Sequence, residues 1–502
     1  MKVLTELKNN IHVQKASIPH EVKESKKEWT ALQKCCFRIA FIFFALISIP
    51  LDAGFYRMLW YIDYAHLNYR HLTEVFVFYN PQFINHFSEG GFFGWQSYVN
   101  LLLILFIAVT GGLTWGIFDK KRNEYNVLYY WVRVLARYRV AYAGIAWGFK
   151  KLFIMQMPEQ YEGLWNTPLI DFFAKRLYWE HISVSPTYEF FLGFAEFFGG
   201  FLLLFRKTTT IGACITFAVF GNIAIANHAY DIGEHVPAAC MSLLSLFILW
   251  KDIPAIVSLL IKEKDAAVTR FYPAFTKWQN LARNFVKYSF NLIFVVLFCI
   301  LEIYAFTHND FYKIPNTPGL TDSRGYYNVT EFRLNNDVIP YSPFDKKRWQ
   351  DVTFEKWSSL SFKVADRPQE IEMFAAGSYP KRGEVYDNKW KFDLEGDGRR
   401  YRRTKEKYEP EKRDLNIGWE ASGMGGRVWY YYKADTINQV LYLQNKNKED
   451  RNQKQILHYV RPTENRIILY GVNEFSDSIY VVLDRVEKNY PLLTKRNEPL
   501  LY

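Results

Sequence analysis

Two short stretches of the sequence place ionisable side chains inside or beside strongly apolar segments. Glu196 lies within the Phe-, Gly- and Leu-rich segment 190–205. The second stretch follows the apolar segment 211–226. It holds four ionisable residues within eight positions: His228, Asp231, Glu234 and His235. An ionisable group in a membrane-spanning segment is costly, so it faces the protein interior or water and usually serves a function.

Glu196 has two interpretations. In the first it is a packing carboxyl that hydrogen-bonds a neighbouring helix. In the second, which we favour, it handles a proton or contacts a ligand, because a carboxyl in apolar surroundings is a usable acid or base. Lys150, in the apolar segment 140–155, is the cation nearest in depth to Glu196. It also has a simpler interpretation, in which its ammonium group reaches toward the lipid head groups.

The stretch 227–235 contains imidazole and carboxylate groups, which are metal ligands. Its spacing matches no zinc pattern, however, and His228 and His235 would have to share a helix that runs through Gly233. We therefore predict no metal and a polar mouth with proton-transfer groups; an incidental solvated loop is the alternative. We expect six side chains to converge on one polar cavity at the outer side of the helices: Lys150, Glu196, His228, Asp231, Glu234 and His235.

The elements that position these residues are predicted from hydropathy. The chain is 50% hydrophobic and 18% aromatic, yet its mean hydropathy is only −0.15, which indicates a membrane part joined to a polar part. About seven α-helical spans are predicted, several of them shorter than the usual ~20 residues. Their ranges are 39–55, 98–118, 140–155, 190–205, 211–226, 236–250 and 288–306.

From Tyr326 onward the hydrophobic pattern changes to a period of two, which is typical of strands in an antiparallel sheet. The last four predicted strands form a meander that closes into a small barrel or a half-sandwich. We therefore predict a polytopic α-helical membrane domain followed by a C-terminal antiparallel β domain. The predicted divisions are a cytoplasmic segment 1–34, two additional spans in 35–129, a four-helix bundle in 130–250, a basic connector with the seventh span in 251–307, and an extracytoplasmic β domain in 308–502.

Lysine and arginine are distributed unevenly between the loops. They cluster in the N-terminal segment and at 120–139, 206–207 and 251–287, whereas the alternate loops carry few. The positive-inside rule then predicts a cytoplasmic N-terminus and an outer β domain. The net charge of +11 forms no basic stripe, so a nucleic-acid partner is not expected. We expect a bacterial cytoplasmic (inner) membrane location, with the β domain in the periplasm.

The order of motifs between about 130 and 250 resembles the DoxX-like family. A glycine-bearing helix ends in Lys150-Lys151, Glu196-Phe-Phe-Gly-Gly200 with leucines follows, and Ile211-Gly-Ala213 begins the next helix. The resemblance implies a four-helix membrane bundle formed by spans three to six. It also implies that Glu196 and either Lys150 or Lys151 are the matching polar residues. The additional spans and the β domain depart from the compact family pattern.

Three functions remain open at this stage. The wider DoxX-like group includes a small subunit of a thiosulfate:quinone oxidoreductase, so the resemblance implies a quinone-linked or redox membrane component, with quinone as the cofactor to test. A second function is a non-catalytic scaffold or assembly protein whose β domain binds a protein partner outside the membrane. The third is a conduit for a small solute or a proton. The sequence does not decide whether the chain is an enzyme.

Overall fold

The computed structural model describes residues 29–51, 69–76, 98–157, 160–230, 235–266, 271–308, 317–365, 420–447 and 454–491, with shorter pieces between 55 and 67 and at a few other positions. All structural statements below concern this described part of the chain.

The helices are labelled in chain order. They are α1 (Ala31–Ser48), α2 (Tyr69–Phe76), α3 (Val99–Phe118), α4 (Asn126–Leu152), α5 (Glu162–Trp165), α6 (Ala174–Ser183), α7 (Pro186–Leu203), α8 (Thr209–Ala229), α9 (His235–Leu249), α10 (Ile253–Leu260), α11 (Lys277–Asn291) and α12 (Phe298–Thr307). The π-helical segment Leu292–Leu297 joins α11 to α12.

Four helical segments in the described part are long and apolar enough to cross a membrane: α1, α3, α8 and the continuous segment Lys277–Thr307. A fifth would be α9 with α10, which are bent by 75° at a short break. A multi-pass α-helical membrane part is therefore confirmed. α4 and α7 fall outside this set, and both carry buried charged side chains that lower their hydropathy.

Two predicted span boundaries are wrong. The first span was expected over 39–55, but α1 ends at Ser48, because Pro50 cannot continue a helix without losing a backbone hydrogen bond. The third was expected to begin at residue 140, whereas α4 begins at Asn126 and includes three arginines. One of these, Arg133, pairs with Asp252 at 3.0 Å, so the positive charge is neutralised inside the protein and does not end the helix.

The C-terminal part contains strands β1 (Gly325–Leu334), β2 (Asp337–Val338), β3 (Asp351–Phe354), β4 (Ser359–Lys363), β5 (Lys391–Phe392), β6 (Tyr401–Arg402), β7 (Arg427–Asp435), β8 (Val440–Asn445), β9 (Lys454–Thr463), β10 (Arg466–Val472) and β11 (Ser478–Val486). Eight of them form an antiparallel barrel, because β11 pairs back onto β1 and closes the sheet. β2 adds to β1, and β5 pairs only with β6. Of the two predicted forms, the small barrel is confirmed. Inward-facing apolar and aromatic side chains such as Tyr327, Leu441 and Val481 fill it.

The barrel packs against the segment 153–185, which connects α4 to α7. A separate apolar cluster joins the two parts, and its members are Tyr161, Leu164, Trp357, Ala421, Met424 and Trp429. Phe172 also makes an isolated antiparallel bridge with Met424. The segment that links α4 to α7 is therefore also the surface on which the barrel rests.

Candidate functional site

The centre of the site is a close contact between α4 and α7, lined by glycines from both helices. A Cβ atom at Gly148 would lie 2.6 Å from the backbone nitrogen of Phe197. A Cβ atom at Gly193 would lie 2.6 Å from the Cβ atom of Lys151. Small residues of this kind let two membrane helices approach until their backbones touch. Because the helices are so close, side chains on the contacting faces meet over short distances.

Lys151 and Glu196 meet at this contact as a buried ion pair. The lysine Nζ donates to Glu196 Oε1 at 2.7 Å and to Oε2 at 2.8 Å. Only 7% of the lysine side chain and 2% of the glutamate side chain are exposed. The Trp147 ring lies one turn earlier on α4, with its centroid 5.9 Å from the ammonium group. The pair therefore places a proton donor and a proton acceptor side by side in an apolar setting.

The lysine that binds Glu196 is Lys151, one of the two that the DoxX-like resemblance allowed, whereas depth in the membrane had favoured Lys150. Helical phase explains the difference. Lys151 lies three and seven residues after Gly148 and Gly144, so it shares their face of α4, and that face packs on α7. Lys150 is rotated by about 100° around the helix axis from that direction. It is also buried, at 7% exposure.

The two predicted histidines lie together at the end of the α8–α9 hairpin. The ring centroids of His228 and His235 are 4.2 Å apart. They meet across two different helices, so no continuous helix through Gly233 is required. Tyr98, directly before α3, shares a 2.6 Å hydrogen bond between its hydroxyl and His228 Nε2. Its ring also stacks on the His228 ring, with centroids 5.5 Å apart.

The remaining predicted site residues, Asp231 and Glu234, lie outside the described residues. In the described part of the chain no three His, Cys, Asp or Glu side chains are grouped as metal ligands. Tyr98 was missed by the sequence analysis, and no spacing or charge pattern around it gives a signal. Convergence of all six predicted residues on one cavity therefore stays a prediction.

A further aromatic contact joins α6 to the residue that follows α8. The ring of Tyr178, on α6, packs 4.9 Å from the ring of Tyr230, which follows the histidine end of α8. Burial raises the pKa of Tyr178, with smaller contributions from Tyr188, Glu196 and Tyr230.

A second buried ion pair marks the other end of α4. Arg133 Nη2 contacts Asp252 Oδ2 at 3.0 Å, and Thr210 donates to the same oxygen at 2.7 Å. Eighteen residues of continuous helix separate Arg133 from Lys151, which corresponds to about 27 Å. That length is close to the ~30 Å thickness of a bilayer's hydrocarbon core. The two ion pairs are therefore chemically similar and far apart. A substitution in the Arg133–Asp252 pair can serve as the control for the same kind of substitution in the Lys151–Glu196 pair.

The fold and these buried charges define the chain as a multi-pass α-helical membrane protein that carries a C-terminal antiparallel β-barrel. Comparison with known proteins gives a narrower placement. The chain is 30% identical over 116 residues to the "Uncharacterized protein YwoB" of Bacillus subtilis (strain 168). The match covers 22% of this chain and 71% of that protein, so the chain belongs to the YwoB family. No protein-family model matches the chain, and no solved structure matches it.

Proposed function

We propose that the chain is a quinone-linked membrane component in which the Lys151–Glu196 pair exchanges protons with a lipid-soluble quinone. The observation that carries this proposal is the buried ion pair itself, with Nζ–Oε distances of 2.7 and 2.8 Å. A quinone gains two electrons and two protons when it becomes a hydroquinone. In reduction the ammonium group can donate one proton to a quinone oxygen, and in the reverse direction the carboxylate can take one from a hydroquinone hydroxyl; the second proton is exchanged with water. The electrons pass to or from a separate redox protein.

The surroundings of the pair support this chemistry. The two charges cancel, so the pair is tolerated in an apolar region as long as both partners remain. Transfer of a proton from the pair to a ligand removes this charge cancellation. The protonation state of the pair therefore depends on the ligand that is bound. The Trp147 ring lies beside the lysine and packs edge to face on the buried Phe220 ring of α8, with centroids 6.1 Å apart, so the surroundings of the pair are aromatic and apolar.

The proposal includes a topology of seven spans with α4, α7 and α9 also crossing the membrane, as in a DoxX-like bundle. The N-terminus is then cytoplasmic and the barrel lies outside, in the periplasm of a bacterial inner membrane. Two contacts support this orientation. The Lys151 end of α4 leads directly into the segment that touches the barrel, whereas Arg206 binds Tyr130 near the start of α4. The positively charged loop that contains Arg206 and the barrel thus lie at opposite ends of α4.

The experiment compares quinone retention in matched variants. The wild type, Glu196→Gln and Asp252→Asn are extracted in a mild detergent, and bound quinones are quantified by mass spectrometry. Asp252→Asn is the control, because it makes the same kind of change in the other buried ion pair. Loss of a charged hydrogen-bond partner corresponds to about tenfold weaker binding or more. We expect quinone in the wild type and the control, and at least a tenfold loss in Glu196→Gln. No quinone in the wild type, or equal retention in Glu196→Gln, would refute the proposal.

A second candidate function is a scaffold whose barrel binds a protein partner outside the membrane. A surface cavity of about 570 Å³ on the barrel wall favours it. Lys363 and Tyr341 line this cavity, and the exposed Tyr341 ring lies 5.3 Å from the guanidinium of Arg348. A photo-crosslinker placed at Tyr341 should capture one partner protein in stoichiometric amount, and Lys363→Glu should abolish the capture. Capture that is unchanged by Lys363→Glu would remove the cavity as the binding surface.

A further inference from the structure

Four basic side chains gather beside the first half of α4. They are Arg137 of α4, Arg206 of the turn between α7 and α8, and Arg283 and Lys287 of α11. We call these four side chains the basic cluster. The charge of Lys287 interacts with the charges of all three arginines, and Arg137 interacts with Arg206. Because like charges repel at short range, a group of this kind favours the binding of an anion.

Aromatic rings hold two of the arginines in place. Arg206 Nη2 donates to the hydroxyl of Tyr130 at 3.0 Å, and its Cζ lies 4.8 Å from the centroid of the Tyr272 ring. The Cζ of Arg283 lies 5.1 Å from the centroid of the Phe275 ring. The Tyr130 ring packs on both of the other rings, with centroids 6.3 and 6.1 Å apart. One aromatic group therefore positions guanidinium groups from two different elements.

Contacts between α11 and α4 position the other two members of the cluster. The hydroxyl of Tyr142 donates to Asn291 Oδ1 at 2.8 Å, and its ring packs on that of Phe294 with centroids 5.3 Å apart. Lys287 lies four residues before Asn291, so it shares the face of α11 that points to α4. Arg283 lies one turn earlier on the same face.

The described part of the chain supplies no carboxylate among the charges that act on Lys287. In the same part, Arg137 Nε is buried and has no hydrogen-bond partner, and a buried donor without an acceptor is costly. Other buried cations of the helical part differ, because Arg133 and Lys151 are each bound to a carboxylate. The basic cluster thus has the positions and the charge of an anion-binding site.

The depth of the cluster corresponds to the head groups of a bilayer. The continuous helix Lys277–Thr307 has 31 residues, so it is about 46 Å long. It is therefore longer than the ~30 Å hydrocarbon core. Twenty residues of helix, about 30 Å, separate Lys287 from Thr307. With Thr307 at one border of the hydrocarbon core, Lys287 lies at the level of the head groups on the other side.

The outer face of α11 is apolar and exposed. Trp278, Leu281 and Phe285 are 79%, 59% and 71% exposed, and their spacing places them on one side of the helix. Lys287 and Arg283 lie on the opposite side. An exposed helix with one basic face and one face of aromatic and leucine side chains is typical of the membrane interface. The surroundings of the basic cluster are therefore suited to a lipid.

We propose that the basic cluster binds the phosphate group of an anionic phospholipid, on the side of the membrane opposite the barrel. Guanidinium groups match the geometry of phosphate oxygens, and basic pockets between membrane helices bind anionic head groups. Free phosphate shares this chemistry, but it makes no use of the apolar face of α11. The site contains neither member of the Lys151–Glu196 pair, so it does not depend on quinone binding.

The test measures binding of phosphatidylglycerol to the purified, delipidated full-length protein by native mass spectrometry in detergent. Loss of one charged hydrogen-bond partner corresponds to about tenfold weaker binding, which we expect for Lys287→Gln. Lys287→Arg keeps the charge and should bind as the wild type does. Lys277→Gln is the matched control, because it removes an exposed charge from the same helix about 15 Å away along its axis. It should also bind as the wild type does.

Two further titrations distinguish the source of the phosphate. Phosphatidylcholine, which has no net charge, should bind at least tenfold more weakly than phosphatidylglycerol, and millimolar inorganic phosphate should not displace the bound lipid. Equal binding of the two lipids, or displacement by inorganic phosphate, would overturn the assignment to an anionic phospholipid. Equal weakening by Lys287→Gln and Lys277→Gln would overturn the site. Thermal unfolding is followed for each variant, and Arg283→Gln tests the same expectation where Lys287→Gln is unstable.

Discussion

Removal of one partner of the Lys151–Glu196 pair should destabilise the protein far more than removal of both. We compare Lys151→Met, Glu196→Leu and the double variant. At 2.7 Å and an effective dielectric constant near 20, the attraction between the charges is on the order of 6 kcal/mol. Desolvation offsets most of this in the intact pair. Each single variant, however, leaves one buried charge without its partner and should lose about 3–5 kcal/mol of unfolding free energy.

The double variant replaces the pair with two apolar side chains of similar size. Such replacements of buried ion pairs are often neutral or stabilising, so we expect unfolding within about 1 kcal/mol of the wild type. Unfolding is followed by tryptophan fluorescence during denaturant titration in micelles. A double variant as unstable as the two singles combined would show that the side chains act independently. A stable double variant that retains no quinone would separate the pair's role in binding from its role in stability.

Three further predictions test the surroundings of the pair and the topology. Gly193→Ala forces a methyl group to within 2.6 Å of the lysine Cβ and should cost about 1–3 kcal/mol in thermal unfolding, whereas Gly221→Ala meets its nearest atom at 3.4 Å and should cost much less. Tyr98→Phe removes the 2.6 Å hydrogen bond to its histidine partner and should lower the unfolding free energy by about 0.5–1.5 kcal/mol; no change would exclude that bond. In a cysteine-free background, Ser342→Cys should react with an impermeant maleimide from the outer side and Lys264→Cys should not, and reversed labelling would contradict the orientation.

The bounds of the helices could be predicted from the sequence where a segment is uniformly apolar. Segments such as α3 and α8 are uniformly apolar, and both appear as helices close to their predicted bounds. The start of α4 was harder to predict, because its three arginines are typical of the residues that border a membrane span. Only the partner Asp252, 119 residues further along the chain from Arg133, shows that this charge is neutralised within the protein.

The sequence indicates which types of residue form the site, but it does not show which lysine pairs with Glu196. Glu196 stands out as a carboxyl among phenylalanines, but the choice between Lys150 and Lys151 depends on which face of α4 packs against α7. Closure of the barrel depends on pairing between β1 and β11, about 150 residues apart in the sequence. Glu355, the barrel carboxyl that accepts the backbone N–H groups of Glu162 and Gly163, gave no signal, because these partners lie about 190 residues earlier in the sequence.

The most direct test of the central claim follows the protonation of Glu196 while a quinone is reduced. Redox-induced infrared difference spectra are recorded on the purified protein, loaded with a quinone, for the wild type, Glu196→Gln and Asp252→Asn. We expect a carboxyl band that appears with the change in quinone state in the wild type and in Asp252→Asn, and that is absent in Glu196→Gln. Absence of the band in the wild type, or its persistence in Glu196→Gln, would contradict proton exchange at this pair.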